Sequence, residues 1–230
     1  MNATLVLAGE RLEARAGGTL WWPAAGVLAV GDLHLGRAQG AAGRGQAFLP
    51  PYGDHDTLAR LEGELTATGA TTLLLVGDSF DDAPSAGQAA ARLGARLVHL
   101  ATGRRLIWVT GNHDPRPVAG VPGHWIGAWR QGPLAFRHIA TSVPPPPGTG
   151  EVSGHYHPCA TLWRRGVRLR RRCFLADGRR AILPAFGTYT GGLDAADPAL
   201  AALMGKEATA LLLGRRITAV PMARLTEPTH

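Results

Sequence analysis

The stretch Leu73-Leu-Leu-Val-Gly-Asp-Ser-Phe-Asp81 decides how the chain folds. From Thr71 to Val76 every residue is apolar or β-prone and nothing alternates, which predicts a strand covered on both faces, as in a parallel sheet. The run stops at Gly77, where the backbone can turn sharply, and the next side chain is a carboxylate, Asp78. The same grammar stands on either side. Leu28-Ala-Val-Gly-Asp-Leu-His34 lies upstream and Ile107-Trp-Val-Thr-Gly-Asn-His-Asp114 downstream, each a short apolar strand ending at glycine and followed at once by polar side chains.

The segments between these strands are helical in pattern. Leu58, Leu61 and Leu65 give the stretch from His55 to Thr68 one apolar stripe, and Ala90, Leu93, Leu97 and Leu100 do the same for Ser85 to Thr102, where Ser85 and Gln88 have the form of a capping box. Strand, helix, strand, helix, strand predicts α/β layering with parallel pairing. Short strands are also expected at Thr4–Leu7 and Thr19–Trp22, and Gly31 to about Asp54 reads as one long loop. Beyond Asp114 the chain becomes β-rich and turn-rich. Short strands are expected at 161–163, 167–172, 173–176, 181–183 and 217–220, with a helix near Asp197–Met204. The whole chain, residues 1–230, reads as a single domain, its β-rich second half stacked on the α/β first half.

Composition excludes several classes. At 45% apolar and 18% charged residues the chain suits a globular protein. The start, Met1 to Ala14, lacks the basic and apolar regions of a secretory signal, and no window is apolar enough for a membrane span. Cys159 and Cys173 form no metal-ribbon spacing, so a reducing, cytoplasmic setting is expected. The formal charge is +7, carried almost wholly by arginine, since Lys206 is the only lysine. Such a balance attracts polyanions, and arginine enrichment together with alanine and glycine also fits GC-rich codon usage.

Ligands in α/β sheets bind outside the carboxyl ends of the strands. Three strands ending together would bring Asp32, His34, Asp78, Asn112 and His113 into one crevice, and Ser153-Gly-His-Tyr-His157 adds two histidines at i and i+2. Carboxylate, imidazole and amide oxygen suit Mn²⁺, Fe or Zn²⁺ better than Ca²⁺. Asp and Asn after a strand are also common turn caps, but capping does not account for histidines at matching places.

These motifs resemble the calcineurin-like metallophosphoesterase superfamily: D-x-H at Asp32–His34, G-D-x-x-D at Gly77–Asp81, G-N-H-D at Gly111–Asp114, a separate histidine, and G-H-x-H at Gly154–His157. The resemblance implies a four-layer α-β-β-α sandwich and a pair of divalent cations. Asp32, His34 and His157 would hold one ion, and Asn112, the separate histidine and His155 the other, with Asp78 bridging. The separate histidine is His138, at the end of the alternating run Leu134, Phe136, His138, or else His124. The resemblance further implies that His113 protonates the leaving oxygen, with the Asp81 carboxylate paired to it, while a water activated between the ions attacks phosphorus.

A narrower resemblance is to the bacterial ligase-associated DNA damage response endonuclease family, PdeM. It rests on Gly31-Asp-Leu-His-Leu-Gly-Arg37, Phe48-Leu-Pro-Pro51, Gly154-His-Tyr-His-Pro158, Arg172-Cys-Phe174 and above all Leu183-Pro-Ala-Phe-Gly-Thr-Tyr-Thr-Gly-Gly192. The family's usual His-Glu-Pro is replaced here by His138-Ile139-Ala140. This resemblance implies a Mn²⁺-dependent DNA phosphodiesterase or endonuclease working in repair with an ATP-dependent ligase and a helicase. Arg168, Arg170 and Arg172 alternate and would share one face of a strand, with Arg164, Arg165, Arg171, Arg179 and Arg180 nearby; such a stripe could follow a phosphate backbone or simply protect an edge strand. Arg37 is a further candidate for a substrate phosphate. The alternatives are a hydrolase of small phosphoesters with the same metal site, and a non-catalytic scaffold of the same fold.

Overall fold

The computed structural model describes residues 1–46, 48–164 and 167–225; Arg165 and His230 lie outside the described residues. Two sheets face each other. The first is built in chain order from β1 (Ala3–Leu7), β2 (Glu10–Ala14), β3 (Leu20–Trp22), β4 (Val27–Val30), β5 (Thr72–Val76), β6 (Arg105–Val109) and β7 (His124–Ile126). Strands β1 to β4 form an antiparallel meander, and β4 to β7 run parallel. The second sheet contains β8 (Ala128–Gln131), β9 (Leu134–Arg137), β10 (Gly150–Ser153), β12 (Val167–Ala176), β13 (Arg180–Ile182), β14 (Thr209–Leu212) and β15 (Thr218–Pro221), while β11 (Cys159–Arg164) pairs with β12 as a hairpin.

Strand parity makes the layers. On β5, Leu74 and Val76 pack toward the second sheet, whereas Leu73 and Leu75 pack toward the helices. Ile107 and Val109 of β6 follow the first pair, and Leu106 and Trp108 the second. The inter-sheet core joins them to Phe136, Val152, Phe174, Ala181 and Leu183. Outside the first sheet lie α1 (Arg37–Gly43), α2 (Gly53–Thr68) and α3 (Ala83–Ala101); outside the second, α4 (Pro198–Leu203) covers Cys173, Leu175, Ile182 and Ala210. This is the α-β-β-α sandwich expected above. No helix among the described residues is long and apolar enough to cross a membrane.

Local differences from the sequence reading have simple causes. The segment from Gly31 to Asp54 is not one loop: α1 forms inside it, although its Gly and Ala content carries no apolar stripe. Helix α3 starts earlier than the Ser85 capping box implied, because the Asp82 side chain accepts the Ser85 N–H and Pro84 sits in the first turn, where proline is tolerated. The two strands expected at 167–172 and 173–176 are one continuous β12, and the weakly patterned β2, β10 and β14 were not legible.

Candidate metal centre

The carboxyl ends of β4, β5, β6, β9 and β10 converge at one edge of the sandwich. Backbone ties lock them together: Asp32 N–H donates to the Gly77 carbonyl at 3.2 Å, His34 N–H to Asp78 at 3.0 Å, and Gly154 N–H to His138 at 3.0 Å. The block after β13 seals the same edge, with Gly187 N–H donating to Asp32 at 3.0 Å. Asp114 staples two of the strand ends from below, its carboxylate accepting from the N–H groups of Gly111 and Ser79, both at 2.8 Å, and of Phe80 at 3.2 Å. Burial lifts its pKa to about 6 despite these bonds. The sequence reading assigned Asp114 no role beyond its place in the motif, because an anchoring carboxylate is recognisable only by the amides it meets.

Two clusters of ligand-type atoms result. Asp32, His34 and His157 form one; Asp78, His138 and His155 form the other, each with its ligand atoms within 4.8 Å of one another. His157 Nε2 lies 3.2 Å from Asp32 Oδ1 and 3.4 Å from His34 Nε2. His138 Nε2 faces Asp78 Oδ2 at 3.1 Å, Asn112 Oδ1 at 2.9 Å and His155 Nδ1 at 3.2 Å. One imidazole nitrogen cannot satisfy three such partners with a single proton or lone pair. A cation at the centre would satisfy them all, so the donor set fits a pair of divalent ions. His124, the alternative separate histidine, is exposed on β7, and the fold brings His138 to the cluster.

The backbone is strained where the ligands sit. Among described non-glycine residues positive φ occurs at Ala8 and otherwise only at Asp32 (56°), His34 (48°), Asp78 (44°), His155 (70°) and His157 (47°). Each such residue costs of order 1–3 kcal/mol and persists only where the surroundings over-determine it, as at functional sites. Gly111 permits a close approach, since a Cβ there would overlap the backbone and carboxylate of Asp78.

Charge is balanced within the cluster. Burial pushes Asp78 up, but the hydrogen bond and charge of His138 and the N–H of His113, which donates to Asp78 Oδ1 at 2.9 Å, hold it down at about 2. His138 is lowered by burial yet raised overall by Asp78 and Asp32, while burial and the neighbouring His138 lower His155. An incoming cation must therefore displace a proton from His138. Below the raised His138 pKa that proton competes, so divalent-metal affinity is expected to fall as pH drops through that value, with net proton release on binding. Titration calorimetry in buffers of different ionisation enthalpy measures that release.

His113 is half-exposed, its Nδ1 in close contact with the main-chain carbonyl of Asp81 and its Nε2 3.9 Å from Asp78 Oδ2. This corrects the expected pairing of the Asp81 carboxylate with His113. That carboxylate points the other way, 2.8 Å from Arg37 Nη1, 2.7 Å from Arg44 Nη2 and 3.5 Å from His34 Nδ1. Burial raises it, but His34, Arg44 and Arg37 outweigh burial and hold it at about 2. Arg37, a candidate for a substrate phosphate, is thereby engaged with Asp81.

The arginine stripe also divides. Arg168, Arg170 and Arg171 are exposed on β12, and Arg170 donates to the Gly192 carbonyl, beside the His157 backbone. Arg172 does not join them: it is turned inward and donates to the carbonyls of Ala185, Gly187, Thr188 and Thr190. Arg180 is fully buried and paired with Glu151 at 3.0 Å. Arg172 was expected on the stripe and Arg180 close to it, and both instead satisfy carbonyls that the strand pattern does not reveal.

Residues 26–176 match the family described as calcineurin-like phosphoesterase. No curated protein matches the chain. Among solved structures, a nuclease from Pseudomonas putida, MPE, is similar at 28% identity, with 96% of this chain and 100% of that one covered and a TM-score of 0.76. A phosphoesterase from E. coli, Yfce, aligns at 15% identity over 85% of this chain and 98% of that one, with a TM-score of 0.39.

Proposed function

Because the chain belongs to the calcineurin-like phosphoesterase family and is a metal-dependent phosphoesterase, we propose that its substrate is DNA, whose phosphodiester bonds it hydrolyses with two Mn²⁺ ions. The observation that carries this reading is the convergence of two carboxylate–imidazole clusters on one edge of the sandwich. Asp32, His34 and His157 would hold one ion and Asn112, His138 and His155 the other, with Asp78 shared between them. The DNA assignment is supported by the similar nuclease and by the exposed arginines of β12 beside the His157 end of the cleft. Arg168 and Arg170 take backbone phosphates. The motif resemblance, with the Leu183–Gly192 block folded against Asp32, supports a place in cytoplasmic DNA repair beside an ATP-dependent ligase and a helicase. The inter-sheet core, drawing on residues from Leu5 to Leu211, supports residues 1–230 acting as one catalytic unit.

When bound, the cations lower the pKa of a water and neutralise phosphate charge. The chain supplies the rest. The water gives up one proton to solvent and its oxygen adds to phosphorus; the P–O ester bond breaks with its electron pair on the leaving oxygen, which then needs a proton. His113 is placed to give it: Nδ1–H donates to the Asp81 carbonyl, so the doubly protonated ring would present its second proton from Nε2, on the side of the Asp78 carboxylate. The buried Asp32 carboxylate accepts the His155 N–H at 3.0 and 3.1 Å and so holds the second histidine motif in place.

The test is Mn²⁺-dependent hydrolysis of single-stranded DNA, duplex DNA and a chromogenic phosphodiester by the natural chain and by His113→Asn. The variant is expected to lose about 10²–10⁴-fold in kcat, the worth of a positioned proton donor, with its Mn²⁺ content unchanged. Undiminished turnover would remove His113 from the mechanism. Turnover of the small diester without DNA cleavage would replace the nuclease reading by hydrolysis of small phosphoesters.

A further inference from the structure

We propose that Asp81 is a positioning residue for two imidazoles at once. Its carboxylate, gripped by two arginines of one helix, orients His34, and its main-chain carbonyl orients His113. The inference rests on the metal-site reading above and adds residues to it.

His34 must present a lone pair from Nε2 if it is to hold a cation with Asp32 and His157, so Nδ1 must carry the proton. Nδ1 is buried and has no formed hydrogen bond. The acceptor it faces is Asp81 Oδ1 at 3.5 Å, an ion-pair distance that a small ring rotation on ligation would close. The ring stands edge-on to His113 and His157, with centroids 5.1 and 5.2 Å away.

The carboxylate is itself fixed from behind. Arg37 opens α1 and Arg44 follows its end, two turns on, so both guanidinium groups reach the same side of the helix. They take opposite oxygens of Asp81, Oδ1 and Oδ2. Gly40 lies between them, and a Cβ there would overlap Asp81 Oδ2, so the helix can lie against the carboxylate only with glycine at that position. The Asp81 backbone is pinned as well, its N–H donating to the Leu35 carbonyl at 2.9 Å, which aims the Asp81 carbonyl at His113 Nδ1. Helix α1, invisible as a helix in the sequence, thus holds a carboxylate against the first metal cluster, and the two functions of Asp81 use different atoms.

That separation gives the test. Mn²⁺ binding to the full chain is followed by electron paramagnetic resonance and calorimetry for the natural protein, Asp81→Asn, Asp81→Ala and Arg44→Ala. Two Mn²⁺ equivalents in the natural protein are required by the metal-site reading, and their absence would overturn that reading together with this one. In Asp81→Ala one equivalent is expected to weaken about 10–100-fold, the usual cost of losing an outer partner of a metal ligand, while the other keeps its affinity. Asp81→Asn, which retains an acceptor oxygen, should fall between, and Arg44→Ala should weaken the same single equivalent by a smaller factor. Every variant keeps the main-chain carbonyl, so the contact with His113 Nδ1 is the part of the arrangement that these substitutions leave in place. Equal weakening of both equivalents, or no change in either, would overturn the proposal. If Asp81→Ala fails to fold, Arg44→Ala decides by the same split, because Arg44 lies at the surface and touches no proposed ligand.

Discussion

Replacing Asp78 with asparagine is expected to lower kcat/KM for phosphodiester hydrolysis by at least about 10³-fold, roughly 4 kcal/mol of transition-state stabilisation. Asp78 belongs to the second cluster, 3.1 Å from His138 and bonded to the His113 N–H, while its main-chain carbonyl accepts the N–H of His34 from the first at 3.0 Å. Its carboxylate touches both the second metal cluster and the backbone of the proposed proton donor. Asparagine is the informative substitution because it tolerates the left-handed conformation, φ 44°, that Asp78 occupies. Its amide oxygen can still accept the His113 N–H, so the fold should survive and the loss should fall on chemistry. The measurements are steady-state kinetics with Mn²⁺, metal content by mass spectrometry and a urea unfolding curve. A variant that folds, keeps two ions and retains turnover within tenfold of the natural chain would refute the bridging role.

Arg180→Met is expected to destabilise the protein by about 3–5 kcal/mol, the cost of breaking a buried ion pair from one side. Arg180 and Glu151 are almost wholly removed from solvent. Arg180 Nε donates to Glu151 at 3.0 Å, and its other nitrogens satisfy the carbonyls of Thr141, at 2.6 Å, Val143, at 3.0 Å, and Leu203. These carbonyls come from the proline-rich loop before β10 and from the end of α4, so the guanidinium is what ties both to the second sheet. Methionine would fill the space but leave Glu151 charged, with only the partly exposed Arg137 at 3.0 Å and the Thr141 N–H and hydroxyl as partners. For a chain of this size the loss should lower Tm by roughly 6–20 °C. Adding Glu151→Leu should restore part of it, because removing both charges together leaves none uncompensated. Arg168→Ala, on the exposed face of β12, serves as the control and should change stability by less than about 0.5 kcal/mol. A loss under 1 kcal/mol for Arg180→Met would show that the pair is not what holds these segments.

Much of this protein could be read from local sequence. Uninterrupted apolar runs predict strands covered on both faces, and β4, β5 and β6 are such strands. Helical stripes predict α2 and α3, whose leucines do meet Leu28, Leu73 and Trp108. The residue types following the strands predict that a carboxylate and imidazole site would gather at their carboxyl ends, because strand direction and side-chain period are properties of short segments. Tertiary structure alone decided which way the longer side chains turned. Asp81 faces His34, Arg37 and Arg44 rather than the His113 ring, and Arg172 and Arg180 leave the stripe for carbonyls contributed by residues 141–190 and 203. A buried guanidinium or carboxylate must find partners for every atom that loses water, and those partners are set by which distant loops arrive beside it, a fact that no window of sequence contains.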